Sequence, residues 1–214
     1  MTTRAVREPD AGSALLMALL VSTLLCGLGL GLVLVGDTET LVASNFRAGT
    51  EAMYAADAAL EFVTSEVGRV ARWTDVLAGV VTSRLVDTTL HPVLPSNVQI
   101  DLTTLTSQLQ GASDAALALG ANSPRWRLFA YGLVSRLASP SLLTNQSYVA
   151  VWLADDLAEI DGDPWTDTNG VVMTMARAMA PGGAVRTIEA TLVHPNPGSG
   201  SLSDVRLVSW REVR

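Results

Sequence analysis

Hydrophobic positions along this chain first run unbroken, then recur at a helical repeat, then fall at every second residue. From Ser13 to Gly36, SALLMALLVSTLLCGLGLGLVLVG, twenty-four residues carry no charged side chain. A helix of that length reaches roughly 36 Å at about 1.5 Å per residue, enough to cross a hydrocarbon core of about 30 Å with some tilt. The run predicts a membrane-spanning helix. From Val42 the apolar positions become periodic: Val42, Phe46, Gly49, Met53, Ala56, Leu60, Val63, Val67 and Val70, in steps of four and three, with Glu51, Asp57, Glu61 and Glu66 off the stripe. This is the pattern of an amphipathic helix. One helix over 13–72 follows, with 13–36 in the membrane and 37–72 packing its stripe against a head.

Residues 73–125 read as a helical and irregular insert covering one side of that head. Thr74 to Val86 has helical spacing, His91-Pro92 and Leu94-Pro95 interrupt it, Val98 to Leu102 alternates like a short strand, and Thr103 to Leu119 is again helical. Gly120 to Pro124 reads as a turn. From Trp126 the period becomes two, predicting strands at Trp126–Val134, Tyr148–Ala154, Val171–Ala180, Ala184–Val193 and Asp204–Val213. Pro181-Gly182-Gly183 is a hairpin signal, because glycine accepts the positive φ of tight turns. The expected fold is α+β, a long N-terminal helix packed on a C-terminal antiparallel β-sheet over 126–214.

Composition narrows the function classes. A formal charge of −7 opposes association with phosphate backbones, so nucleic acid is not an expected partner. The basic residues are all arginine. Cys26, the one cysteine, lies in the apolar run and can form no intramolecular disulfide; Leu24 and Leu25 before it do not make a lipidation signal. The fold must rest on core packing or a bound ion.

The polar segment Met1 to Gly12, MTTRAVREPDAG, followed directly by the apolar run, inverts the order of an ordinary secretory signal. Such a leader ending in glycine looks like that of a type IV prepilin. Beyond the membrane run, Glu39, the pair Asn45-Phe46 with Arg47, and the stretch Tyr54 to Ala58 are similar to the N-terminal domain of PilX-type minor pilins, over about a quarter of the chain. The resemblance implies a pilin-like fold, cleavage between Gly12 and Ser13 by a prepilin peptidase, and methylation of the Ser13 amine. It also implies an inner-membrane subunit with a periplasmic head that enters a pilus or pseudopilus filament through its N-terminal helix. Its partners would be other pilins or pseudopilins, the inner-membrane assembly platform and membrane lipid. Most type IV pilins resemble one another in a glutamate five residues after the cut; here that position is Met17, which cannot neutralise a neighbour's N-terminal ammonium. PilX-like proteins and the tip pseudopilin of type II secretion share this lack, which implies a place at or near a filament tip. Gly27 and Gly31 make a small-xxx-small face suited to close helix packing, although glycine is common in membrane helices generally. The alternative is a single-pass inner-membrane protein whose periplasmic head binds a ligand or senses one.

Candidate chemistry is concentrated in the stretch from Asp155 to Gly170, where six carboxylates fall within Asp155–Asp167. Hard cations such as calcium take six to eight oxygens, and Asp161, Asp163, Asp167 and Asn169 would supply several together. The spacing is not an EF-hand, and the same residues are turn formers. Trp165, among these polar residues, is the candidate partner contact, whereas Trp73, Trp126, Trp152 and Trp210 are expected in the head core. His91 and His194 each precede proline, and no nucleophile elbow, Walker loop, dinucleotide fingerprint or zinc spacing occurs. The expectation is a structural protein, not an enzyme.

Overall fold

The computed structural model describes residues 11–94, 97–116, 122–137, 146–195 and 205–213. It contains α1 (Ala11–Val67), α2 (Trp73–Leu77), α3 (Leu102–Ala116) and five strands: β1 (Arg127–Leu133), β2 (Tyr148–Asp155), β3 (Val171–Met179), β4 (Val185–Val193) and β5 (Arg206–Val213). The strands form one antiparallel sheet in the order β1-β2-β3-β4-β5. The fold is α+β, as the change of period predicts. Residues Met1 to Asp10 of the leader, Leu117 to Ala121, and the turn Asn196 to Ser203 lie outside the described residues.

The chain divides into two compact units, Met1–Asn45 and Phe46–Arg214. In the first, α1 is one helix long and apolar enough to cross a membrane, with a mean hydropathy of 2.5 over its best window. Within this unit the side chains of residues 13–45 are all exposed. In the second unit burial begins at Ala48 and follows the predicted stripe through Gly49, Ala56, Leu60, Val63 and Val67, widened by Ala52, Ala55 and Ala59. The stripe positions Val42 and Phe46, by contrast, are exposed.

The sheet separates two cores. Val149, Val151 and Leu153 of β2, with Val172 and Ala176 of β3 and Ile188, Ala190 and Leu192 of β4, join the α1 stripe and α2 in one cluster. The alternate residues Tyr148, Ala150, Trp152 and Ala154, with Met175 and Met179, join Leu102 and Trp126 in the other, which Leu105 and Leu109 of α3 cover. β2 is buried along its whole length. A bulge between Leu128 and Ala130 lets the adjacent Phe129 and Ala130 both enter the α1-side core, since an extra residue resets the strand's alternation.

Several elements differ from their sequence expectations, each for a local reason. α1 ends at Val67, not Arg72: Gly68 follows, and the Trp73 indole Nε1 donates to the Val67 carbonyl at 3.0 Å, satisfying an end that would otherwise continue. The expected helix over Thr74–Val86 reduces to α2, because Gly79 takes φ +75° and the amides of Val80 and Val81 turn back onto the Asp75 carbonyl. The expected strand at Val98–Leu102 is only a single bridge, Val93 to Gln99. Asp101 instead caps α3, its Oδ1 accepting from the Thr103 and Thr104 amides at 2.9 and 3.0 Å. The hairpin between β3 and β4 forms as expected: Gly183 has φ +80° and its amide donates to Ala180 at 2.9 Å. Trp210, expected in the core, is 43% exposed, because β5 lies beyond the area that the helices cover.

Candidate functional site

The acidic loop leaves β2 at Asp155 and re-enters the sheet at Val171. Much of its polarity shapes the backbone. Asp161 Oδ1 accepts from the Asp163 amide at 3.1 Å. Asp163 accepts from the Trp165 amide at 3.1 Å and from the Thr166 hydroxyl at 2.8 Å. Asp167 Oδ1 accepts from the amides of Gly170 and Val171, and Asn169 Oδ1 from that of Val171 at 2.8 Å. These are the side-chain-to-backbone bonds by which Asp and Asn make turns. The loop is also tied outward. Thr74 of α2 donates its hydroxyl to the Asp167 carbonyl and accepts from the Asp167 amide at 3.1 Å. The Gly170 carbonyl accepts from the His194 amide at 2.7 Å.

Of the four residues expected as calcium ligands, Asp161 alone belongs to the group of carboxylates that the fold gathers. That group is Asp155, Glu159 and Asp161, each offering an oxygen within 4.8 Å of the others. Asp155 and Glu159 are buried and Asp161 is exposed. One oxygen of each buried carboxylate is fixed: Asp155 Oδ2 accepts from Asn122 Nδ2 at 2.5 Å, and Glu159 Oε1 accepts from the amide of Thr168 at 2.6 Å and from its hydroxyl. The other oxygen of each, Asp155 Oδ1 and Glu159 Oε2, is buried and receives no donor from any residue outside the pair. Asp156 lies alongside, accepting from Asn169 Nδ2 at 2.7 Å and the Ala158 amide at 2.9 Å.

Burial, first, and then the hydrogen bond and charge of Glu159 push the Asp155 carboxyl up to about 8, against the Asp156 amide and Asn122, which lower it. Burial also raises Asp167, while the Gly170 and Val171 amides restrain the shift. Desolvation disfavours the charged form of an acid, and a second carboxylate disfavours it further.

The carboxylate spacing in the loop does not single out Asp155 and Glu159, yet a signal for Asp155 exists. Positions 149, 151, 153 and 155 share one face of β2, and the first three are core residues. An aspartate at the next inward position must be buried, and a buried carboxylate needs a partner.

The remaining candidates are dispersed. Trp165 is 38% exposed, and the Arg127 guanidinium lies 5.0 Å over its ring. Gly12 and Ser13 fall in the first turn of α1. Met17, Glu39, Asn45, Phe46, Arg47 and Tyr54 are exposed on α1, with Arg47 Nε 2.8 Å from Glu51 Oε1. A Cβ added at Gly27 or Gly31 would meet nothing within 4 Å. His91 is exposed, 3.5 Å from Asp101, whereas His194 is buried edge-on to Trp73, with ring centroids 5.7 Å apart. None of the family models, curated proteins or solved structures compared with this chain matches it.

Proposed function

We propose that this chain is a structural subunit of a type IV pilus-like filament, a minor pilin or pseudopilin of the PilX-like kind. The observation that carries the reading is the division of labour along α1: an apolar segment uncovered from Ser13 onward, continuing in the same helix into a stripe that forms the core of the second unit. An apolar surface of that size needs lipid or other apolar helices around it. In the proposed cycle the segment first holds the subunit in the inner membrane, with its head in the periplasm, and then buries the same surface against neighbouring subunits. Leader removal between Gly12 and Ser13 and methylation of the Ser13 amine precede assembly. Met17, apolar where a shaft subunit carries a glutamate, favours a position at or near the tip. The second unit would supply priming or tip contacts, with Trp165 among them.

The test is the intact mass and N-terminal sequence of the protein made with and without its prepilin peptidase. A peptidase-dependent start at Ser13, heavier by one methyl group, is the expected result. An uncut Met1 terminus in both strains would overturn the reading. That second outcome would favour a permanently anchored protein with a ligand-binding head, for which one observation speaks: a groove of about 550 Å³ between α3 and the sheet, lined in part by Leu105, Leu109, Trp152, Met175 and Arg177.

A further inference from the structure

We propose that Asp155, Glu159 and Asp161 form a binding site for a hard divalent cation of the calcium type, which fastens the β2–β3 loop to the end of β2. The inference is independent of the filament reading.

Three observations converge on it. The first is spacing. Oxygens bound to one calcium ion lie about 2.3 to 2.6 Å from it, so two of them stand at most roughly 5 Å apart; the three carboxylates meet that limit, with an oxygen each within 4.8 Å of the others. The second is the pair of buried oxygens, Asp155 Oδ1 and Glu159 Oε2, to which no surrounding residue donates and which have only each other's carboxyl beside them. Both belong to side chains at least nine-tenths buried, Asp155 at 0% and Glu159 at 5% exposure. Native interiors rarely leave such acceptors unsatisfied, and here two lie on adjacent acidic groups. A cation between them answers both at once. The third is the arrangement behind them. Asn122 holds the opposite oxygen of Asp155, and Thr168 that of Glu159, which is how partners of metal ligands orient them. Asp161 is exposed and gives an ion a way in.

The donor set also selects the ion. Carboxylate oxygens without histidine or cysteine suit calcium or magnesium above zinc or copper. Magnesium demands near-ideal octahedral geometry, whereas calcium accepts irregular shells of six to eight oxygens, and three carboxylates drawn from a strand end and an irregular loop fit the latter. The rest of the shell is left to water.

The experiment uses the full-length protein in detergent micelles, stripped with chelator and titrated with calcium chloride by calorimetry and by thermal melting, with magnesium chloride as the comparison. One saturable calcium per chain is expected, with a melting temperature that rises with calcium concentration, because a ligand that binds the folded state stabilises it by mass action. Asp161→Asn, at an exposed position, should fold normally and bind about tenfold or more weakly. Glu159→Gln should bind weakly or not at all, and Asp163→Asn should bind as the parent does. The proposal is overturned if calcium produces neither heat nor a melting shift in the parent protein. In that case a rise in melting temperature for Glu159→Gln in chelator would mark the pair as two acids sharing a proton. Calcium binding that survives unchanged in both Asp161→Asn and Glu159→Gln would overturn it as well.

Discussion

Glu66 lies off the predicted stripe of α1, where a solvated charge is expected, yet its side chain is only 9% exposed. Its Oε2 accepts from the Ser83 hydroxyl at 2.5 Å, and its Oε1 from the Arg84 amide at 3.1 Å and from Arg84 Nε at 2.8 Å. Replacing Glu66 with Ala strands these donors, of which the Ser83 hydroxyl is on a buried residue. We expect Glu66→Ala to lower unfolding free energy by about 1 to 3 kcal/mol in denaturant titration, the Arg84 guanidinium contributing little because it is exposed. Asp101 governs a pH dependence. Hydrogen bonds from the Thr104 amide and hydroxyl, with help from His91 and the Thr103 amide, hold its carboxyl below the usual aspartate value. A carboxyl that is more acidic in the folded state stabilises the fold above its ordinary pKa, and that contribution is lost as pH falls through the folded value. The parent protein should therefore lose more stability than Asp101→Asn as pH drops below about 4, whereas Asp101→Ala, which removes the cap, should melt lower at neutral pH. An unchanged acid limb in Asp101→Asn would refute the assignment.

At the scale of elements, the strands were the most legible. Alternation marks them because two different cores lie on the two faces of the sheet, so each face imposes its own side-chain character on every second residue. The stripe of α1 was legible for the same reason at a period near 3.6, but its alanines were not. Ala52, Ala55 and Ala59 are fully or nearly fully buried; they run in steps of three and four beside the stripe, but alanine is too weakly apolar to mark a second buried row in a segment rich in it. The insert was least legible because its conformation comes from distant partners: Glu66 fixes Ser83 and Arg84, the Leu85 carbonyl accepts from the Tyr131 amide at 2.7 Å, and Val86 bridges Tyr131. The acidic loop was legible as a site of interest but not in its membership, since a ligand set depends on which oxygens already have donors. Ala56, with 0% exposure in the α1-side core, gives a test of this packing. Ala56→Leu adds volume where none is open and should cost about 1 to 3 kcal/mol, while Tyr54→Leu, at an exposed position of the same helix, should leave the melting temperature close to that of the parent.

For the whole molecule, the two units predict two separable behaviours. Every buried hydrophobic residue of the described chain lies at or beyond Ala52, so a chain beginning at Phe46 should melt cooperatively and remain in the aqueous phase on detergent phase separation. The full chain should enter the detergent phase. If the shortened chain failed to melt cooperatively, the core would depend on the apolar segment in a way its burial does not suggest.

The strand order runs β1 to β5 with every pairing between neighbours in sequence, and this has a consequence in time. Nearest-neighbour pairing keeps loop closures short, so the sheet can zip as each strand follows the last. The α1 stripe is synthesised first, however, and its cover, β2 to β4, arrives only after the insert and β1. Between those events the nascent chain carries an unsatisfied apolar face on a finished helix, the kind of surface that chaperones hold and that drives wrong associations when nothing holds it.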